Sequence, residues 1–137
     1  MIKDLCKDIL FLSKKAEEAT AGDIQTAQDL LDTLKHHEAG CVGMAANMIG
    51  VNKRIIAVCT DDGMIAMINP KIIYKSEETY ETEEGCLCHE GVRPVTRHKK
   101  IKVEYLNMKF KTKSKTFTDF PAQIIQHEMD HLEGILI

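Results

Sequence analysis

The first part of the chain carries apolar residues at helical spacing. Between Asp23 and His37 they recur every three or four positions, at Ile24, Ala27, Leu30, Leu31 and Leu34. This spacing lines one face of a helix. Thr20 is a candidate N-cap and Gly40 lies just beyond the segment, as is typical of helix boundaries. The pattern therefore predicts an amphipathic helix near the amino end.

The residue pattern changes at Arg54, where short runs rich in β-branched residues begin. Three such runs cover 54–59, 64–69 and 71–74, and they are separated by Asp-Asp-Gly and Asn-Pro. β-Branched runs bounded by turn residues of this kind are typical of strands. We therefore expect three separate strands in this part of the chain.

A further strand pair is expected near the carboxyl end. Residues 101–106 alternate between apolar and polar with period two, and 108–117 is a candidate hairpin partner across Asn107. Alternation of this kind is typical of a half-buried strand. Connections between these strands are too short for helical crossovers, which favours antiparallel pairing.

The last predicted element is a helix that carries histidines. It begins at Thr118, has Pro121 near its first turn, contains His127 and His131, and ends before Gly134. The order of helix, strands and helix predicts an α+β fold, with mostly antiparallel sheets packed around the C-terminal helix. A chain of 137 residues with 44% hydrophobic positions fits one domain over 1–137.

Composition narrows the class of function. The formal net charge of −3 gives no electrostatic reason to expect nucleic-acid specificity. No apolar run approaches the length of about 18 residues that a membrane helix needs, and the start of the chain lacks a signal-peptide pattern. The five cysteines are an odd, scattered set, which favours reduced thiols or metal ligation over disulfides. We expect a cytoplasmic protein with no membrane association.

The sequence His127-Glu-Met-Asp-His131 is an H-E-x-x-H motif. Residues i and i+4 of a helix project from the same face, so both imidazoles can reach one metal ion. Glu128 then lies beside the metal, where a carboxylate can take a proton from water and deliver it to a leaving amine. The alternative is a helix whose histidines face solvent or make a polar core contact.

A catalytic site of this kind usually has three protein ligands and an open position. Downstream of His131 only Glu133 could serve as the third. The other candidates are the thiols of Cys86 and Cys88, upstream in Glu84-Gly-Cys-Leu-Cys, because a metal favours thiolates. If both thiols ligate, the site is a closed structural zinc site. If Glu133 ligates, a metallopeptidase is the expected class.

Three motifs in order favour a third alternative. They are Gly43-Met-Ala-Ala-Asn47, Glu84-Gly-Cys-Leu87 and His127-Glu-Met-Asp-His131. Together they resemble the signature motifs of the peptide deformylase family, over a stretch from about Gly40 to Gly134. The resemblance implies a metal-dependent hydrolase that removes the N-formyl group from the N-terminal methionine of newly made polypeptides.

The resemblance also implies a set of site residues. Cys86, His127 and His131 would hold one divalent metal, with Fe(II) as the native ion and Ni, Co or Zn able to replace it. A water on that metal would be the nucleophile. Glu128 would be the general base, and the backbone N–H of Leu87 would stabilise the oxyanion.

Substrate contacts follow from the same resemblance. Gly43 and Gly85 would offer main-chain contacts to an extended peptide, and Glu84 and Ile124 would line the methionine pocket. The expected partners are N-formylmethionyl nascent peptides and the ribosome exit region. The oligomeric state is left open. Asp130 is a candidate to orient a ligand or an arginine such as Arg97, with solvent exposure as the alternative.

The chain departs from the family at Met48, where the first motif usually ends in a glutamine that donates to the oxyanion. Methionine has no N–H to give, and loss of such a donor costs about 10²–10³ in turnover. The alternative function is therefore a deformylase-like metal- and peptide-binding protein with weak or lost catalysis. Asn47 is a candidate replacement donor, and Met48 itself is expected to be an apolar wall residue.

Overall fold

The computed structural model of the chain describes residues 1–86 and 91–136. The strands are β1 (Gly43–Ala45), β2 (Ile55–Thr60), β3 (Gly63–Lys75), β4 (Thr79–Gly85), β5 (Val92–His98), β6 (Lys100–Leu106) and β7 (Thr112–Thr118). The α-helices are α1 (Ile9–Leu12), α2 (Ile24–His36) and α3 (Asp119–Leu132). A short 3₁₀ turn, Ala21–Asp23, precedes α2, and a second one, Ala46–Ile49, follows β1.

The strands form two antiparallel sheets. The larger sheet has five strands in the order β1-β2-β3-β6-β7, and the smaller sheet pairs β4 with β5. Every named pairing is antiparallel. The expected α+β class, with antiparallel sheets and a C-terminal helix, is confirmed.

β2 shows why the sheet has a helix on each face. Side chains alternate along a strand, and here Ile55 and Ala57 join a core cluster that includes residues of α2. Ile56 and Val58 point the other way, into a cluster with residues of α3. The strand is therefore buried on both faces, which explains why its sequence is apolar without alternation.

The helices lie where the patterns predict them, within a residue or two. The apolar face of α2 is buried through Ala27, Leu30 and Leu34. The 3₁₀ turn before α2 has Thr20 as its N-cap residue, and the Thr20 backbone N–H donates to the Asp23 carboxylate at 2.8 Å. The hydrophobic pattern did not predict α1, which is a single helical turn capped by the side chain of Asp8.

The expectation of separate strands at 64–69 and 71–74 was wrong. One strand, β3, runs through both segments, and its pairing with β6 shifts register between Ile68 and Lys71. Asn69 has a φ of +50° at this irregularity, and its side chain bonds both backbone groups of Ala19 at 2.7 and 2.9 Å. Pro70 is tolerated because a bulge leaves a residue outside the regular ladder.

The hairpin partner also differs from its predicted bounds. β7 begins at Thr112, because Asn107 to Lys111 form the turn, with the Asn107 N–H donating to the Lys111 oxygen at 3.0 Å. β1, β4 and β5 were not predicted. In the described residues, no helix is both long enough and apolar enough to cross a membrane.

The end of α3 is held against the segment that follows α1. Gly134 has a φ of +77°, and its N–H donates to the His131 oxygen at 3.1 Å. A left-handed glycine after the last turn is a common helix ending. A Cβ at this position would lie against the backbone oxygen of Ser13 and 2.8 Å from its carbonyl carbon.

We predict that Gly134→Ala destabilises the protein by about 1–3 kcal/mol more than Gly50→Ala. Gly50 is the matched control because it has a similar φ of +83° with nothing within 4 Å of the added Cβ. The difference between the variants therefore isolates the collision with the Ser13 backbone. Urea unfolding of both variants measures it, and equal losses would contradict the close approach.

Candidate active site

Helix α3 brings the two histidines of the H-E-x-x-H motif together. His127 and His131 are one turn apart and buried, and their Nε2 atoms are 3.1 Å apart. The i, i+4 spacing thus gives the shared face that the motif predicts.

Cys86 completes a three-donor cluster. It directly follows the last residue of β4, and its sulfur and one ring nitrogen from each of His127 and His131 all lie within 4.8 Å of one another. One thiolate and two imidazoles are ligands that suit Fe, Co, Ni and Zn. The residues present therefore fit a single divalent metal. Leu87 and Cys88 lie outside the described residues.

A buried ion-pair network stands behind His127. Arg97 donates to both carboxylate oxygens of Glu84, at 2.6 and 3.1 Å, and to Asp130 at 2.6 Å. Glu84 in turn lies 2.7 Å from Nδ1 of His127. This contact fixes the ring and leaves Nε2 directed at the cluster. The suggestion that Asp130 orients Arg97 agrees with this geometry.

The network sets the charges of its members. Burial opposes ionisation of Glu84, but hydrogen bonds from His127 and Arg97 outweigh it and lower the pKa of the carboxyl to about 2. Burial alone would lower the pKa of His127, yet the bonds to Cys86 and Glu84 raise it to about 10. A ligating imidazole must be neutral, so metal binding here releases a proton.

Glu128 is enclosed beside the cluster. It is 3% exposed, and within residues 1–86 and 91–136 its Oε1 has no hydrogen-bond partner. Its Oε2 lies 4.0 Å from Nε2 of His127. Burial raises the pKa of this carboxyl to about 7, with Glu84 adding to the shift and His127 opposing it. A carboxyl with a pKa near neutrality can both take and give a proton.

Gly43 makes this enclosure possible. The backbone of β1 passes so close to α3 that a Cβ on Gly43 would lie 2.7 Å from Cγ2 of Ile124 and 2.9 Å from Oε2 of Glu128. Any side chain there would displace the carboxylate, so β1 and α3 can pack at this distance only through glycine.

A cavity of about 510 Å³ opens onto the cluster. Its wall contains most of the predicted site residues, namely Gly43, Glu84, Gly85, Cys86, Ile124, His127 and Glu128. His131 is fully buried behind them. Glu84 lines the cavity as expected, but its carboxylate is held by Arg97 and His127. Of the other wall residues, Phe120 and Gln123 carry no sequence motif that would have marked them, whereas Cys41 stands where the first family motif usually has a glycine.

Neither Asn47 nor Met48, which follow β1, is placed as a side-chain donor to the oxyanion. Met48 is fully buried, and its sulfur lies 3.9 Å from that of Cys86. The amide nitrogen of Asn47 donates to the backbone oxygen of His131 at 3.0 Å. Asn47 therefore braces α3, which does not support its use as a replacement oxyanion donor.

Comparison with known proteins agrees with the geometry. The family model described as "Polypeptide deformylase" matches residues 5–137. The chain belongs to the polypeptide deformylase family. A peptide deformylase from Clostridium beijerinckii is 53% identical over 137 residues, covering all of both chains. One from Fusobacterium nucleatum is 40% identical over 141 residues, covering 98% of this chain and 79% of that protein.

Solved deformylase structures share the fold. The peptide deformylase of Thermotoga maritima superposes with a TM-score of 0.89 at 30% identity, covering 99% of this chain and 95% of the other. A class I type b peptide deformylase from Acinetobacter baumannii, with Met-Ala-Ser bound, gives 0.88 at 30% identity, covering 99% and 97%. The predicted deformylase activity is confirmed by these matches, and they do not favour the binding-only alternative.

We predict that Gly43→Ala lowers deformylase turnover on the order of a hundredfold, because misplacement of a reacting group by about 1 Å has that effect. Gly40→Ala is the matched control, since Gly40 lines the same cavity and no atom of the described residues lies within 4 Å of an added Cβ. Formate release from a formyl-Met peptide measures both. Unchanged turnover in Gly43→Ala would show that Glu128 tolerates displacement.

We predict that Glu84→Gln weakens zinc binding about ten- to a hundredfold, because an amide cannot satisfy both Arg97 and the His127 N–H as the carboxylate does. Glu81→Gln, an exposed position on the same strand, is the control and leaves affinity unchanged. Competition against a chromogenic zinc chelator gives both affinities. Equal binding by the two variants would mean that the network does not orient His127.

Proposed function

We propose that this chain removes the N-formyl group from the N-terminal methionine of newly made polypeptides, with Cys86, His127 and His131 holding one divalent metal. The observation that carries the assignment is the convergence of these three donors within 4.8 Å beside a buried carboxylate. Membership of the deformylase family gives the reaction class.

We assign Fe(II) as the native metal, with Ni, Co or Zn able to occupy the same ligands. When bound by the Cys86 thiolate and two neutral imidazoles, the metal would supply net positive charge to polarise the formyl oxygen and to lower the pKa of water. The rest of the reaction depends on groups that the chain itself supplies.

Glu128 is proposed as the general base. Its Oε1, which has no hydrogen-bond partner among the residues that the structure describes, and its pKa of about 7 suit a group that accepts a proton from the attacking water. The same carboxyl then delivers that proton to the nitrogen of the departing methionine. Packing of Gly43 and Ile124 against Glu128 keeps bulk water away from the carboxylate.

The substrate is proposed to lie in the cavity. Gly43 and Gly85, which both line the cavity, are proposed to offer main-chain groups to an extended peptide, with Ile124 and Glu84 beside the methionine side chain. The role of the Leu87 N–H at the oxyanion stays a prediction. We further propose one catalytic domain over 1–137, because both core clusters contain residues of β2 and β3.

The cellular setting follows from the substrate. Newly made formylated chains emerge from ribosomes, so we propose a cytoplasmic enzyme that works near the ribosome exit region. The formal charge of −3 offers no basis for nucleic-acid specificity in that encounter.

We predict that Glu128→Gln lowers turnover about 10²–10⁴-fold while bound metal stays at the wild-type level, because the amide cannot accept a proton. Glu81→Gln is the control, because Glu81 is exposed on β4. Formate release and metal analysis of both variants provide the test. Retained turnover in Glu128→Gln would remove Glu128 as the base.

Metal analysis of anaerobically purified protein tests the assignment of the cation. We expect iron to be the main metal, and removal by a chelator to abolish formate release until Fe(II) is restored. His131→Ala should fail to regain activity because one ligand is missing. Protein that releases no formate with Fe, Ni, Co or Zn would overturn the proposed function.

A further inference from the structure

The thioether of Met48 lies beside the thiol of Cys86. Their sulfurs are 3.9 Å apart, and the thiol is a hydrogen-bond donor to the thioether. Met48 is fully buried. The cluster that holds the metal therefore has a second sulfur at its edge, supplied by a part of the chain remote from both β4 and α3.

The position of Met48 is fixed by its surroundings. It belongs to the 3₁₀ turn Ala46–Ile49, and its backbone oxygen accepts from the Cys6 N–H at 2.7 Å. Its sulfur also accepts from the backbone N–H of Ala45, at 3.5 Å. A thioether sulfur has two lone pairs, so the N–H of Ala45 leaves one directed at Cys86.

Two pairs of donors, the two sulfurs and the two imidazole nitrogens, have the spacing expected of ligands on one tetrahedral cation. Two sulfur ligands about 2.3 Å from a tetrahedral ion are about 3.8 Å apart, and two imidazole nitrogens at about 2.0 Å are about 3.3 Å apart. The distance between the sulfurs of Cys86 and Met48 is 3.9 Å. The distance between the Nε2 atoms of His127 and His131 is 3.1 Å.

We propose that this site binds a monovalent copper ion, Cu(I), through the thiolate of Cys86, the thioether of Met48 and the imidazoles of His127 and His131. Thiolate and thioether are soft ligands that select Cu(I), whereas a harder divalent ion gains little from a thioether. The thiol proton passes to solvent on binding, and no change of oxidation state is involved. A set of four protein donors leaves no position for water, so the copper form is hydrolytically inactive.

The inference does not depend on deformylation, because it concerns ligation alone. The full chain, stripped of metal and kept anaerobic with ascorbate, is titrated with Cu(I) against a colorimetric Cu(I) chelator. Zn(II) is titrated in parallel. X-ray absorption at the copper edge then counts the sulfur ligands.

Three variants separate ligation from packing. Met48→Leu keeps an apolar side chain of similar size but removes the sulfur, and Met48→Gln replaces the sulfur with an amide. Met67→Leu is the control, because Met67 is also fully buried but belongs to the other core cluster. Circular dichroism confirms that each variant is folded before titration.

The expected result is two sulfur ligands per copper in the wild type and in Met67→Leu, and one in Met48→Leu and Met48→Gln. Cu(I) affinity should fall on the order of tenfold or more in the two Met48 variants while zinc affinity stays within about twofold. A single sulfur ligand in the wild type would overturn the proposal, as would an equal fall in copper and zinc affinity. Failure of formate release would leave these results unaffected.

Discussion

The carboxylate of Glu84 joins the small sheet to helix α3 and to the cluster of Cys86, His127 and His131. It lies near the end of β4, receives two hydrogen bonds from Arg97 on β5, and contacts Nδ1 of His127 on α3. A buried ion pair contributes little net stability against its desolvation, but removal of one partner is costly. The contribution of Glu84 is therefore to orientation. It fixes the direction of the His127 ring, and it holds the end of β4 from which Cys86 follows two residues later.

The larger sheet provides the rigid support for this arrangement. β2 is buried on both faces, so α2 and α3 pack on opposite sides of the same strand. β1, at the edge of the sheet, lies against α3 and brings Gly43 to Glu128. The enclosure of Glu128 and the position of the histidines thus depend on the same packing of helix against sheet.

The parts of the site that are local in sequence were the parts that could be predicted. His127 and His131 share a face because of helical spacing alone, so no tertiary information was needed. Cys86 required the family resemblance, because residue patterns left Glu133 and Cys88 open as ligands. The contact of Met48 with Cys86 had no signal, since it depends on how the turn after β1 packs.

The same distinction holds for the fold. β4 and β5 carry charged residues at many positions because the small sheet is largely exposed, so hydrophobic periodicity could not reveal them. β3 was divided at Asn69-Pro70 because that pair usually marks a turn. The bonds between Asn69 and Ala19 override the local preference and keep the strand continuous.

The close contact between Gly134 and Ser13 attaches the segment after α1 to the end of the helix that carries the histidines. The Ala16 N–H donates to the Leu132 oxygen at 2.8 Å, and Lys15 pairs with Glu133 at 3.3 Å. The last turn of α3, where His131 lies, is therefore anchored by residues more than a hundred positions away in sequence. Because His131 lies in that turn, its position depends on the early segment as well as on the sheet.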